Sequence, residues 1–306
     1  MIAVIRRRLL ASFCAALCLL VAAGCGRSAP PRVHSAPVVT HDDFLRKATV
    51  DGRVIAFADT GNWQSELKYV AVLDLPAQCM LTPGRALLLG LGGGSVARNY
   101  RRQGWTVDVV EPDTARITLA RTAFGFSDSV RMITSGGRDF LAKEEARYDV
   151  ILLDCVSADE YPVDMLTKEF FALAASRLPE TGIFAIAVES NGWKDEIVRA
   201  LSATIASSFR QVLVLPIAEP PNMFGTIVLM GSNTVRNDLV RDPERNLDYS
   251  PEWRYGPEYQ KTHAWDNHFS IPPDGMPPQT DGHNSWNRIL ADLRSASRNA
   301  PKDYLP

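Results

Sequence analysis

Cysteine is scarce in this chain. Of five cysteines in 306 residues, Cys14, Cys18 and Cys25 fall in an N-terminal apolar leader, which leaves Cys79 and Cys155 for the rest. Two cysteines make no disulfide framework, and two buried thiols are the expectation. A surplus of charge is missing too. Thirty-three Lys and Arg stand against 35 Asp and Glu, a formal net charge of −2, so no basic face points to nucleic acid. There is no internal repeat. His263, His268 and His283 stand among Asp266, Asp274 and Asp281, but at no compact ligand spacing, so no metal site is expected.

The start of the chain has the pattern of an export signal. Arg6, Arg7 and Arg8 precede an apolar run at 9–23 that is too short for a comfortable membrane span. Ala22-Ala23-Gly24-Cys25 then resembles a bacterial lipobox, in which the cysteine is lipidated. The expectation is an extracytoplasmic protein anchored to a bacterial membrane through Cys25. Residues 26–39 are rich in Pro and Ser, as a tether should be.

Beyond the tether the pattern changes twice. Residues 40–84 read as a small β-rich N-terminal subdomain, with strand material at 49–58 around an Asp51-Gly52 turn and helical spacing at 63–75. From 85 to 232, apolar runs alternate with helical segments. Strands are expected at 86–91, 106–110, 130–134, 150–153, 183–188, 211–217 and 226–230, and helices at 96–102, 114–124, 139–142, 168–177 and 195–207. Near-continuous apolar strands separated by helices imply a parallel sheet covered on both faces. The last two strands lack an intervening helix and should close the sheet as an antiparallel hairpin. Such a seven-stranded α/β sheet is the architecture of class I methyltransferase-like, Rossmann-like proteins. Residues 233–306 form an irregular C-terminal extension in which only 287–297 looks helical. Its Trp253, Tyr255, Tyr259, Trp265 and Trp286 are expected to anchor it to the domain.

The stretch ALLLGLGGGSVARNYRRQGWTVDVVEPD, from Ala86 to Asp113, carries the functional signal. It reads as strand, glycine-rich turn, helix, strand and acid. Gly90, Gly92 and Gly94 let backbone N–H groups approach a ligand where a Cβ would block them. Glu111, closing the second strand, can accept hydrogen bonds from two ribose hydroxyls. The ligand class is a nucleoside.

Four motifs make the chain resemble the spermidine synthase family, and more closely its orphan bacterial branch. They are LLGLGGGSVAR (Leu88–Arg98), VVEPD (Val109–Asp113), YDVILLDCVSADEYPVDMLTKEFF (Tyr148–Phe171) and LPETGIFAI (Leu178–Ile186). The resemblance implies a transferase that binds decarboxylated S-adenosylmethionine, or S-adenosylmethionine itself. It would pass an aminopropyl or methyl group to a small-molecule amine or polyamine. It makes Glu111 the ribose acid, Asp154 the general base on the attacking amine, and Tyr69 a residue of the substrate pocket. A carboxylate at Asp154 is chemically apt, because an ammonium must lose its proton to become a nucleophile.

Three family acids are replaced, by Gly93 in the glycine-rich loop, Gly136 after the third strand and Ser157 after the fourth. Asp139 is the candidate near the adenine, and Asp159, Glu160 or Asp164 could restore charge for the amine. Each lost amine–carboxylate contact is worth about 1.5–3 kcal/mol. The alternative is a non-catalytic envelope lipoprotein that holds a polyamine or nucleoside in the same fold, or uses the fold as a scaffold. A homo-oligomer is left open.

Overall fold

A computed structural model describes residues 35–127, 129–154, 161–234, 256–272 and 275–300. Cys25 and the leader, most of the tether, Cys155, Ser157, Asp159, Glu160, Trp253, Tyr255 and Asp274 lie outside the described residues.

Three short strands, β1 (Val38–His41), β2 (Leu45–Val50) and β3 (Arg53–Asp59), form an antiparallel sheet. The β2–β3 hairpin turns at Asp51-Gly52, as expected, with φ of 49° and 80°. The helical expectation for 63–75 needs correction. Ser65 bridges to Ala58, and its Oγ accepts the Leu67 N–H at 3.1 Å. Extended pairing therefore holds the chain until α1 (Lys68–Val72), and α2 (Leu75–Gln78) follows as a separate turn.

The main sheet contains β4 (Arg85–Leu89), β5 (Thr106–Val110), β6 (Arg131–Ile133), β7 (Val150–Asp154), β8 (Ile183–Asn191), β9 (Gln211–Pro216) and β10 (Phe224–Ser232). Its order is β6-β5-β4-β7-β8-β10-β9. The first five strands are parallel, and β10 runs antiparallel to both β8 and β9. The helices between the strands are α3 (Ser95–Arg102), α4 (Thr114–Ala123), α5 (Gly137–Lys143), α6 (Lys168–Ser176) and α7 (Glu196–Ile205). Successive strand residues point to opposite faces, and both faces are buried. Leu87, Leu89, Ile151 and Leu153 enter one core with Phe170, Phe171 and Phe184. Ala86, Leu88, Val150 and Leu152 enter the other with Tyr100 and Trp105. That is why these strands read as unbroken apolar runs.

The C-terminal extension has two helices where one was expected. α8 (Pro257–Asp266) packs on α1, and α9 (Trp286–Arg298) packs on β8 and α7. Trp286 is fully buried, and its Nε1 donates to the Leu166 carbonyl at 3.0 Å. Cys79 is buried. None of the described helices is long and apolar enough to cross a membrane.

The contact between α1 and α8 predicts a pH effect. Asp74, 6% exposed, accepts Asn99 Nδ2 at 3.0 Å, while its Oδ1 has no hydrogen-bond partner among the described residues. Burial raises its pKa from 3.8 to about 7, against the opposing pull of Lys261 on α8. A carboxyl whose folded pKa is raised contributes stability at low pH that is lost as pH climbs through the folded value. Melting temperature should therefore fall between about pH 4 and pH 7 and level off above that, and Asp74→Asn should flatten that slope. An identical slope in the variant would remove Asp74 from the effect.

Candidate functional site

The carboxyl ends of β4, β5 and β7 meet at one edge of the sheet. Gly90, Gly92 and Gly94, in the turn after β4, all have positive φ, at 98°, 51° and 80°. At Gly94 the requirement is also steric, because a Cβ would stand 2.2 Å from the Phe126 ring. The turn is tied to the end of β5. Glu111, 4% exposed, accepts the Leu91 N–H on Oε2 at 3.1 Å and the Asp113 N–H on Oε1 at 2.9 Å. Burial raises the Glu111 pKa, opposed by those two N–H groups and by Arg116 of α4. A carboxylate has about four acceptor positions, and two are used here. Two are left for a diol, so the residue fits a ribose while it also pins the loop.

Gly93 stands where the family's acid was expected, and packing excludes a side chain there. A Cβ would lie 2.8 Å from Ala56 Cβ on β3 and 3.3 Å from the Phe124 ring. β3 roofs the turn in this chain. Gly136 differs, since a Cβ there would meet only Asp139 Oδ2, at 3.7 Å. Asp139 itself is exposed in the first turn of α5, where an acid also suits the helix dipole.

Asp154 ends β7, paired with Ala187 of β8. It is half-buried. Burial raises its pKa from 3.8 to about 6, and the neighbouring charge of Glu111 adds to the rise. A hydrogen bond from Tyr69 and the charge of Arg116 work the other way. Tyr69, buried on α1, therefore lies on the carboxylate it was expected to accompany. Glu111 and Asp154 share one electrostatic environment across β4, two strand spacings or about 10 Å apart at the backbone. The centre is a carboxylate with a pKa raised to about 6, held by a phenol, beside a second, buried carboxylate at the end of β5.

The C-terminal extension reaches the rim of this edge. Arg138 of α5 forms a two-point ion pair with Asp281 at 2.7 and 2.5 Å and donates to the Asp164 carbonyl at 2.7 Å. Thr167 Oγ1 donates to Asp281 Oδ1 at 2.7 Å. Asp164 is exposed in the turn so fixed. The segment Thr280–Ser285 thus braces the chain between β7 and α6.

Sequence reasoning missed five charged residues at this edge. Arg116 stands five residues after Glu111, a spacing that could have drawn attention to it. Arg53 pairs with Glu189 at 3.0 Å, and Lys68 pairs with Glu219 at 2.9 Å. The last two pairs join residues 136 and 151 positions apart, and no local signal links them. Among the described residues no group of three or more His, Cys, Asp or Glu could hold a metal ion.

The family model described as "Spermine/spermidine synthase domain" matches residues 71–238. A Bifidobacterium longum protein named "Probable polyamine aminopropyl transferase" is 28% identical over 239 residues, 71% of this chain and 53% of that protein. A Bos taurus protein named "eEF1A lysine and N-terminal methyltransferase" is 33% identical over 153 residues, 44% of this chain and 22% of that protein. The chain thus spans about half or less of the length of these two relatives. The crystal structure of a probable spermidine synthase from Corynebacterium glutamicum superposes with a TM-score of 0.60 at 18% identity, covering 92% of this chain and 98% of that one. It shares the fold described above.

Proposed function

Because this chain belongs to the spermine/spermidine synthase family, we propose that it transfers an aminopropyl group from decarboxylated S-adenosylmethionine to an amine. The observation that carries this reading is Asp154, a carboxylate with a pKa of about 6 at the end of β7, in a hydrogen bond with Tyr69. The glycine-rich turn and the two unused acceptor positions of Glu111 fit the nucleoside. The amine nitrogen attacks the carbon next to the sulfonium. A C–N bond forms and the C–S bond breaks, and its electron pair stays on sulfur as the neutral thioether of methylthioadenosine. Asp154 takes the proton that the ammonium gives up and returns it to water. Tyr69 holds the carboxylate toward the amine, and Arg116 keeps it ionised at neutral pH.

Two measurements test this. Calorimetry should show methylthioadenosine and decarboxylated S-adenosylmethionine binding to the protein. Absence of heat for both would sink the reading. Turnover should also follow the ionised fraction of Asp154, falling about tenfold per pH unit below pH 6 and levelling off above it. A profile flat from pH 5 to 8 would take Asp154 out of the proton transfer.

The leader supports a second element of the proposal, an exported protein lipidated on Cys25. Labelled palmitate should be incorporated into the wild type and not into Cys25→Ser. Equal labelling of both would contradict it.

A further inference from the structure

Two carboxylates beyond Asp154 are each held by a cation of the chain itself. Glu189, near the end of β8 and 6% exposed, receives Arg53 Nη1 at 3.0 and 3.3 Å. Glu219, in the loop between β9 and β10, receives Lys68 Nζ at 2.9 Å. The Glu219 side chain is 12% exposed and that of Lys68 29%. The second Glu219 oxygen, Oε2, is buried without a hydrogen-bond partner among the described residues.

The Lys68–Glu219 pair lies on the edge that carries the proton acceptor. Lys68 immediately precedes Tyr69, the partner of Asp154. β8 and β9 both run antiparallel to β10, so the Glu219 loop opens at the carboxyl end of β8, where β7 also ends. That loop leans back on the chain after β8, with the Trp193 N–H donating to the Pro221 carbonyl at 2.9 Å. Glu219 follows β9, whose carboxyl end lies three strand spacings, about 14 Å at the backbone, from that of β7. Lys68 and Tyr69, adjacent on α1, reach the two carboxylates from one side.

A diamine bound there needs a carboxylate at each end, one for the reacting nitrogen and one for the distant ammonium. In this chain the distant carboxylate already has an ammonium, and Lys68 supplies it. A second ammonium from a substrate would meet a neutral ion pair and a like charge. An ammonium carries three donors, of which Glu219 takes one. The others suit an oxygen at the far end of an acceptor.

Resting on the transfer reaction above, we propose that the acceptor is a monoamine whose far end is neutral or anionic, not a diamine, and that Lys68 sets this preference. Lys68 is a specificity residue here, distant from the reacting atoms.

The experiment is calorimetry on the full purified chain saturated with methylthioadenosine. The titrants are putrescine, n-butylamine and 4-aminobutyrate. The wild type should bind 4-aminobutyrate and n-butylamine at least about tenfold more tightly than putrescine. Lys68→Gln should reverse the order, tightening putrescine about tenfold and weakening 4-aminobutyrate, with methylthioadenosine affinity unchanged. Lys68→Arg, which keeps the cation, should retain the wild-type order. Putrescine binding most tightly to the wild type would overturn the proposal, as would an unchanged order in Lys68→Gln. Binding of methylthioadenosine without any of the three amines would overturn it and leave the nucleoside site standing. Loss of methylthioadenosine binding itself would overturn both readings.

Discussion

Asp154→Asn is expected to lower the transfer rate by about 10²–10⁴-fold while methylthioadenosine affinity stays within a factor of two. The substitution is nearly isosteric, and the amide oxygen still accepts the Tyr69 hydroxyl. What disappears is the ability to take a proton. The wild-type carboxyl, at a pKa of about 6, is ionised at pH 7.5 yet basic enough to assist as the amine attacks. The variant should also lose the fall in rate below pH 6, because no group at that position titrates. Turnover and pH profile can be read from methylthioadenosine release in the same assay. A variant as active as the wild type would assign the proton transfer elsewhere.

Glu111→Gln should weaken nucleoside binding about a hundredfold or more, and it should also lower stability. The two effects have separate causes. Two hydrogen bonds from ribose hydroxyls to a carboxylate are worth about 1.5–3 kcal/mol each, and an amide replaces one acceptor with a donor. The same exchange sets an NH2 against one of two backbone N–H groups, those of Leu91 and Asp113, which Glu111 now accepts on different oxygens. A buried N–H left without an acceptor costs about 1–3 kcal/mol. Calorimetry and thermal melting should therefore both respond. A drop in melting temperature with full nucleoside affinity would make Glu111 a loop anchor only.

The core of the fold was legible because burial on both faces leaves strands as uninterrupted apolar runs. β5 occupies the expected 106–110, and β4, β7 and β8 start within a residue of expectation. β10 extends two residues further at each end than its run suggested, since it is paired on both sides. α8 escaped notice for a physical reason. Its buried residues include Gln260 and Lys261, so no apolar stripe marks it. Gln260 is buried to accept the Ala218 N–H at 2.9 Å, a contact across 42 positions.

The site divides along the same line. Glu111 and Asp154 could be read because each ends an apolar strand, a position visible in the sequence. Tyr69 came from resemblance alone, and the structure puts it in a hydrogen bond with Asp154. The glycine at 93 was legible as a departure but not as a consequence, since only the packing of Ala56 over the turn explains why an acid cannot stand there. The Lys68–Glu219 pair depends on α1 and the β9–β10 loop meeting in space, which no local pattern encodes.

Group transfer through Asp154 at this edge of the sheet, as proposed, can be read in a single-turnover reaction. Excess protein is mixed with decarboxylated S-adenosylmethionine and 4-aminobutyrate or n-butylamine at pH 7.5, and both products are quantified. One methylthioadenosine and one aminopropylated amine are expected per nucleoside consumed, with both formed at least about a hundredfold more slowly by Asp154→Asn. Bound but unconsumed decarboxylated S-adenosylmethionine with every amine, putrescine included, would contradict it.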